Sequence, residues 1–239
     1  MTADGTRRLR GIVFDGDDTL WSTEDLYDSA RDHARRIVER AGLDGARWEA
    51  LERRLDVANV GSLGHSPDRF PTSCVQAYET LSRAEGLEPD PAIARAMDAA
   101  AREVFERPAP LLPHADEILG ELRARGFRLA LLTKGDPRVQ RRRIEQSGLA
   151  GFFDLVEIVE EKTAETVRSV LERLGVEPES AFSVGNSVRS DVVPSLAAGV
   201  TPVWIDAHVW EYEREHDALD DGRVIALDEL RGLLEVAAR

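Results

Sequence analysis

Residues 12–20 have the sequence IVFDGDDTL, in which three aspartates follow directly behind an apolar run. Ionised carboxylates at this spacing repel one another, and an apolar strand is a poor neighbour for charge. The stretch is therefore either a polar turn or the place where a positively charged group binds. Residues elsewhere in the chain distinguish these two interpretations.

The composition indicates a folded globular protein. Of the 239 residues, 42% are apolar and 32% are charged, and the formal net charge is −14. This charge argues against nucleic acid or an anionic membrane as a partner, because phosphate groups are bound mainly by clustered Lys and Arg. The nearest basic cluster, Arg141–Arg143, is predicted to be the solvated face of a helix.

The chain has one cysteine, Cys74, so no internal disulfide can form and a reducing compartment is expected. Cys74 lies among apolar residues at helical spacing, which predicts a buried packing role. No apolar stretch resembles a signal peptide or is long enough to span a bilayer. We therefore expect a cytoplasmic protein.

Apolar runs of strand length recur along the chain, and segments that could hold a helix separate the later ones. Continuous rather than alternating apolar character favours strands that are buried on both faces of a parallel sheet. This pattern predicts a doubly wound α/β core. The runs are Ile12–Phe14, Leu129–Leu132, Leu155–Val159, Phe182–Val184, Val203–Ile205 and Val224–Leu227.

The first two runs are separated by many more residues than one crossover connection needs. Apolar residues recur at helical spacing in this stretch, and Gly and Pro interrupt it repeatedly. We therefore expect about four helices, which form a helical domain at residues 22–106. This domain would be inserted into an α/β core made of residues 1–21 and 107–239.

Polar side chains follow several of the apolar runs, at the points where the predicted strands end. Functional sites in open parallel sheets form at these carboxyl ends. Carboxylates, a hydroxyl and ammonium groups would converge there, which suits a divalent cation bound beside a phosphate group. A bound Mg²⁺ would relieve the repulsion among the aspartates. The residues concerned are Asp15, Asp17, Thr133, Lys134, Lys162, Asn186 and Asp191.

The stretch from Asp15 to Leu20 resembles the DxDxT signature of the haloacid dehalogenase superfamily. Thr133, Lys162 and residues 184–192 (VGNSVRSDV) match the second, third and fourth motifs of that superfamily in order. A helical insertion directly after the first motif matches the superfamily's first cap class. The resemblance covers the whole chain, and it implies a Rossmann-like doubly wound parallel sheet with an inserted all-helical cap.

The resemblance also implies a role for each matched residue. Asp15 would be the nucleophile that takes the phosphoryl group, and Asp17 would be the general acid and then the general base. Mg²⁺ would be bound by the Asp15 carboxylate, the Asp17 backbone carbonyl and Asp191. Thr133 would hydrogen-bond a phosphoryl oxygen, and Lys162 would neutralise charge on Asp15 and the phosphate.

Four further residues lie in or beside the matched motifs. Flexible Gly16 is expected to let the chain turn so that Asp17 approaches the phosphate. Asp18 is expected to be a hydrogen-bond acceptor within its loop, and Lys134 is either a substrate-facing or a surface lysine. Asn186 stands where the superfamily usually has a second acid, so it would bind water molecules around the metal, or ligate weakly, without adding charge.

The sequence therefore predicts a Mg²⁺-dependent phosphatase that hydrolyses a small-molecule phosphate monoester through an aspartyl-phosphate intermediate. A phosphomutase of the same superfamily would use the same Asp15 and Asp17. A phospho-accepting signalling domain is an alternative of a different class, although receiver domains lack a large helical insertion after the first strand.

Substrate specificity is expected to reside in the cap. Residues 59–73 contain several Gly and Pro residues, and they offer His65 and Arg69 either to a ligand or to solvent. Residues 208–217 either border the site or only cover an edge of the sheet.

Overall fold

The computed structural model describes residues 10–207 and 216–238. The chain forms two compact units, one made of Met1–Ser22 and Pro110–Arg239 and the other made of Thr23–Ala109. The second unit is inserted into the sequence of the first.

The two chain segments that flank the insertion are hydrogen-bonded to each other. Ser22 N donates to Pro110 O at 2.8 Å, and Leu112 N donates to Leu20 O at 3.0 Å. The chain therefore leaves and re-enters the first unit at one place.

The predicted strands form a six-stranded parallel sheet within the described residues: β1 (Gly11–Phe14), β2 (Arg128–Lys134), β3 (Leu155–Val159), β4 (Ala181–Gly185), β5 (Thr201–Ile205) and β6 (Ile225–Leu227). The strand order is β3-β2-β1-β4-β5-β6. Phe14 of β1 is paired with Leu131 of β2 on one side and with Val184 of β4 on the other. The predicted doubly wound α/β fold is confirmed, and β1 lies in the middle of the sheet.

The described residues also contain nine α-helices: α1 (Glu24–Arg40), α2 (Gly45–Leu63), α3 (Arg69–Ala84), α4 (Pro91–Glu106), α5 (Ala115–Ala124), α6 (Pro137–Ser147), α7 (Ala164–Leu174), α8 (Val193–Ala198) and α9 (Leu233–Val236). The first four form the inserted unit, so the expected all-helical insertion is present. None of the helices in the described part of the chain combines the length and the apolar character that crossing a membrane requires.

Helix α7 covers the centre of one face of the sheet. Its residues Val167, Val170 and Leu171 are buried in a cluster with Val13 of β1 and Leu132 of β2. Burying each such side chain contributes roughly 1.5–3 kcal/mol. This packing fixes the strands whose ends carry the polar residues.

The connection from β5 to β6 includes residues 208–215, which lie outside the described residues. Residues 216–220 form a short 3₁₀ helix. The two alternatives stated for residues 208–217 therefore remain predictions.

The helices of the inserted unit share one apolar core. Trp48 of α2 is fully buried, and its Nε1 donates to Cys74 O of α3 at 3.2 Å. Cys74 is itself fully buried, as predicted, and burial raises the pKa of its thiol. Ala34 of α1 and Met97 of α4 are also fully buried in this core.

The Gly and Pro residues of 59–73 interrupt the helices less than the sequence suggests. α2 continues through Gly61 and stops at Gly64, whose φ is 59°. A single interior glycine costs a helix only about 1 kcal/mol, which the packing of residues such as Trp48 offsets. The expectation that Gly residues interrupt this stretch therefore does not hold at Gly61.

Arg69, one of the two residues offered to a ligand or to solvent, lies in the first turn of α3. It is buried, and its Nε donates to Asp56 Oδ1 of α2 at 3.1 Å. Its Nη1 lies 3.2 Å from Nδ1 of His65, which is exposed. Arg69 is thus an internal ion-pair residue of the helical unit rather than a solvated loop residue.

A second buried cluster of ionisable side chains joins α1 and α2. The Arg31 guanidinium lies 2.9 Å from a Glu24 oxygen and 3.2 Å from a Glu52 oxygen, and Glu52 is fully buried. Burial raises the pKa of Glu52 to about 7, although Arg31 lowers it, and the nearby Asp56 carboxylate raises it further. Glu52 therefore holds its proton in the folded chain at a pH where the unfolded chain has lost it.

This raised pKa predicts a pH-dependent effect of replacing Glu52. A carboxyl group whose pKa is higher in the folded chain contributes stability below its ordinary pKa and loses that contribution as the pH rises through the folded value. We expect the change in melting temperature caused by Glu52→Gln, measured against wild type at the same pH, to be more favourable at pH 8 than at pH 5. The control is Glu106→Gln, which removes an exposed carboxylate of the same unit. The prediction would be contradicted if Glu52→Gln changed the melting temperature by the same amount at both pH values. It would also be contradicted if the change caused by Glu106→Gln depended on pH to the same extent.

Candidate active site

The candidate site lies at the carboxyl ends of the central strands. Asp15 follows β1 directly, and its backbone N–H donates to Val184 O of β4 at 2.8 Å, so the sheet fixes its position. Thr133 and Lys134 are the last residues of β2, and Asp191 lies in the turn that follows β4. Because the strands are parallel neighbours, these side chains meet at one edge of the sheet.

Lys162 joins two carboxylates at this edge. Its Nζ lies 2.5 Å from Asp15 Oδ1 and 2.6 Å from Asp191 Oδ1, and all three side chains are at least 90% buried. The start of α7 holds Lys162 in place, because Thr163 and Thr166 form a reciprocal capping box directly after it. The three charged groups therefore form one buried cluster.

The charges of this cluster depend on one another. Burial raises the pKa of Asp15 to about 7; the Lys162 ammonium lowers it, and the carboxylates of Asp191 and Asp17 raise it. Burial opposes the charge on Lys162, but Asp15 and Asp191 outweigh it and raise the pKa of the amine. Lys162 therefore keeps its positive charge beside Asp15 and Asp191.

A five-residue π-helical turn, Val188–Val192, carries Asp191 to the cluster before α8 begins. Ser187 N donates to Asp191 Oδ2 at 3.0 Å, which orients the carboxylate. A Cβ at Gly185 would lie 2.2 Å from the Asp191 carboxyl carbon, so only glycine allows this close approach.

The two residues at the end of β2 occupy different environments. Thr133 is 1% exposed, and its hydroxyl makes no hydrogen bond within the part of the chain that the structure describes. A buried hydroxyl without a hydrogen bond lowers the stability of the folded chain, unless a bound ligand forms a hydrogen bond with it. Lys134 is half-buried, and its Nζ donates to Ser190 Oγ at 2.8 Å, next to Asp191. It therefore belongs to the site edge rather than to the exposed surface.

Asn186 is buried beside the first motif. Its Oδ1 lies 3.3 Å from Thr19 Oγ1, which is also 3.4 Å from Asp15 Oδ2. The hydroxyl has one proton, so it can donate to only one of these two oxygens at a time. Trp204 Nε1 donates to Asn186 O at 2.7 Å and holds this backbone segment. Thr19 is thus a link between Asp15 and Asn186 that the sequence analysis left without a role.

The Asp17 carboxylate is held by three side-chain donors. Trp21 Nε1 donates to Oδ1 at 2.7 Å, while Gln140 Nε2 and Arg143 Nη1 both donate to Oδ2 at 2.8 Å. Gln140 and Arg143 lie on one face of α6, three residues apart. The sequence analysis did not connect any of these three residues with the site.

The prediction that Arg141–Arg143 is a solvated face is wrong for Arg143. Arg141 and Arg142 are exposed, whereas Arg143 is 7% exposed and paired with Asp17. Successive residues on a helix point about 100° apart, so three consecutive arginines cannot share one face. The spacing of Gln140, Arg143 and Ile144, all buried, was the signal that could have found this inner face.

Gly16 is needed for space rather than for an unusual backbone conformation. Its φ is not positive, but a Cβ there would lie 2.4 Å from Cζ2 of the Trp21 ring. The positive φ of 57° belongs instead to Asp18, whose N–H donates to Trp21 O at 2.7 Å. The tryptophan ring therefore packs directly on the backbone between Asp15 and Asp17.

The oxygen atoms of the site suit a hard divalent cation. Two buried carboxylates, Asp15 and Asp191, face the same cavity, and the Thr19 hydroxyl lies between Asp15 and the amide oxygen of Asn186. Within residues 10–207 and 216–238, no three His, Cys, Asp or Glu side chains form a metal-binding group. Such a sparse set fits Mg²⁺, which keeps several waters and commonly takes one or two carboxylates from the protein.

A doubly wound parallel sheet with buried carboxylates and a lysine at its carboxyl edge defines an α/β protein with an enzyme-like site. Residues 9–199 match the family model described as haloacid dehalogenase-like hydrolase. The chain belongs to this family of hydrolases, and the resemblance seen in its motifs is confirmed. The helical insertion between β1 and β2 is consistent with the first cap class.

Relatives match the chain over nearly its whole length. It is 34% identical over 224 residues to a phosphoserine phosphatase of Thermus thermophilus, which covers 83% of this chain and 89% of that protein. It is 31% identical over 237 residues to a glyceraldehyde 3-phosphate phosphatase of Methanopyrus kandleri, covering 95% and 97%. A solved haloacid dehalogenase-like family hydrolase from Xanthomonas campestris has 26% identity and a TM-score of 0.74, covering 96% of both chains.

Replacing Lys162 should destabilise the folded chain. In Lys162→Met the carboxylates of Asp15 and Asp191 lose their shared cation, and breaking a buried ion pair in this way costs about 3–5 kcal/mol. We expect urea unfolding at pH 8 in EDTA to show a loss of this order. The control Lys134→Met removes the half-buried lysine that donates to a hydroxyl, and it should cost much less. Equal stability of Lys162→Met and wild type would contradict the prediction.

Proposed function

We propose that the chain is a Mg²⁺-dependent phosphatase that hydrolyses a small-molecule phosphate monoester through an aspartyl-phosphate on Asp15. The phosphatases among its relatives support a phosphoric monoester hydrolase. The observation that carries the proposal is the buried contact of Lys162 with Asp15 and Asp191. It places a fixed positive charge where the anionic phosphate would meet an anionic nucleophile.

The proposed reaction has two displacements at phosphorus. An Asp15 carboxylate oxygen forms a bond to phosphorus as the bond to the ester oxygen breaks, and the leaving oxygen takes a proton from Asp17. A water molecule then attacks phosphorus and gives a proton to Asp17. Inorganic phosphate leaves, the Asp15 carboxylate is restored, and Asp17 again carries its proton.

Several side chains would stabilise the charge on the transferring group. Lys162 would neutralise the phosphoryl oxygens and Asp15 together, and the buried Thr133 hydroxyl would donate to a phosphoryl oxygen. Lys134 would add a second positive charge from the end of β2. Mg²⁺, held by the carboxylates of Asp15 and Asp191 and the backbone carbonyl of Asp17, would supply a Lewis acid for the phosphoryl oxygens.

A phosphate-release assay tests the proposed function directly. We expect repeated turnover on at least one member of a panel of sugar, nucleotide, glycolate and amino-acid phosphates, and loss of that turnover in EDTA. Asp15→Asn should reduce it to below a few per cent of wild type, because an amide of equal size cannot attack phosphorus. The control Asp206→Asn changes an exposed aspartate that follows β5, and it should stay active.

The same assay can contradict the proposal in two ways. Turnover by Asp15→Asn near the wild-type rate would exclude Asp15 as the nucleophile. Isomerisation of a sugar phosphate would instead indicate a phosphomutase, and a single slow phosphorylation without turnover would indicate a phospho-accepting domain.

Asn186 should limit the affinity for Mg²⁺. Asn186→Asp adds a negative charge near Asp15, and a hard cation binds more tightly when a carboxylate replaces an amide. We expect a lower Mg²⁺ concentration at half-maximal activity and a larger Mg²⁺-dependent rise in melting temperature. The control Gln146→Glu adds the same charge at an exposed position of α6.

An unchanged or higher half-saturating Mg²⁺ concentration in Asn186→Asp would overturn this expectation. It would indicate that the Asn186 amide donates to a neighbouring carboxylate. The new acid would then repel that carboxylate, and activity would fall.

A further inference from the structure

Both oxygens of the Asp17 carboxylate are held, but not equally. Oδ2 accepts two hydrogen bonds, from Gln140 Nε2 and Arg143 Nη1, at 2.8 Å each. Oδ1 accepts one within the described residues, from Trp21 Nε1 at 2.7 Å. A carboxylate oxygen has two lone pairs, so Oδ2 is fully used and Oδ1 retains one.

The donors to Oδ2 are fixed by their own surroundings. Gln140 Nε2 also donates to Lys134 O at 2.9 Å, which ties α6 to the end of β2. The start of α6 is capped by Asp136, whose side chain accepts from the backbone of Arg138 and Val139. Gln140 and Arg143 are both more than 90% buried. Two buried side chains of the capped helix α6 therefore bind one of the two carboxylate oxygens of Asp17.

We propose that Gln140 and Arg143 are positioning residues that fix Oδ2 of Asp17 and leave Oδ1 to carry the proton to and from the reacting oxygens. This inference rests on the proposed phosphatase function. These two hydrogen bonds hold the Asp17 side chain in one rotamer. Oδ1 therefore keeps one orientation, and the reaction does not have to wait for the side chain to adopt it. When Oδ1 gives up its proton, Arg143 already faces the new charge and nothing needs to rearrange.

An ion pair with no catalytic consequence would contain the same Arg143–Asp17 contact. A purely structural ion pair and a positioning contact can be distinguished by replacing Arg143. Only for a positioning contact should the fall in rate depend on the leaving group of the substrate. A misplaced proton donor slows the departure of an alkoxide, which needs a proton, but not of nitrophenolate, which does not. A general loss of structure would slow both substrates equally.

The experiment compares Arg143→Met with the matched control Arg142→Met, whose side chain is exposed on the same helix. The measured quantity is kcat/KM, which covers only the steps through departure of the first leaving group. The substrates are nitrophenyl phosphate and the alkyl phosphate with the fastest turnover in the release assay. We expect Arg143→Met to lose about 10-fold or more on the alkyl phosphate and less than about 3-fold on nitrophenyl phosphate. Arg142→Met should match wild type on both.

A double-mutant cycle shows whether Arg143 acts through Asp17. In the Asp17→Asn background there is no proton to position, so Arg143→Met should have no further effect on the alkyl phosphate. Arg143→Lys should recover part of the lost rate, because it restores a cation and a donor. Equal losses on both substrates, or a full additional loss in the Asp17→Asn background, would overturn the inference.

Folding and the proposed function are controlled separately. If Arg143→Met melts far below wild type, Gln140→Met and Arg143→Lys carry the same leaving-group comparison. If wild type turns over phosphate esters and Asp15→Asn does not, a failed Arg143 comparison refutes only this inference. If wild type has no turnover, the proposed function fails first.

Discussion

The contact of Lys162 with Asp15 and Asp191 is the interaction on which the rest of the site depends. The three side chains form one buried cluster, in which Lys162 favours the ionised form of Asp15 and the two carboxylates favour the positive charge of Lys162. They come from three distant parts of the chain: the end of β1, the start of α7 and the turn after β4. The parallel sheet, with β1 between β2 and β4, brings these ends to one edge.

Much of this arrangement could be predicted from the sequence, because strands buried on both faces leave uninterrupted apolar runs. The residues that follow those runs, among them Asp15, Thr133 and Asp191, then had to share one edge. Arg143 could not be placed in this way. The helical spacing of Arg143 with Gln140 and Ile144 could have indicated that it faces inward, but its partner Asp17 is more than a hundred residues away in the sequence, and no local pattern identifies that carboxylate.

The glycines illustrate a second limit of prediction. Gly16 suggested a flexible turn, but its backbone is ordinary, and what it provides is room for the Trp21 ring. Gly185 provides room for the Asp191 carboxylate in the same way. The sequence shows that a glycine is present, but the atom that would collide with a Cβ is known only from the fold. At both positions a side chain lies so close to the glycine backbone that a larger residue would displace it.

The hydrogen bonds between the segments that flank the inserted helical unit also have an evolutionary consequence. Because Ser22 is bonded to Pro110 and Leu20 to Leu112, the sheet unit itself holds the two ends of the insertion together. Closing a longer loop between fixed ends costs little additional entropy, about 0.6 kcal/mol for each doubling of its length. A different insertion could therefore replace residues 23–109 without changing how Asp15 and Asp17 are held. The inserted unit, which we propose selects the substrate, can then diversify while the sheet edge that carries Asp15 and Asp17 stays the same.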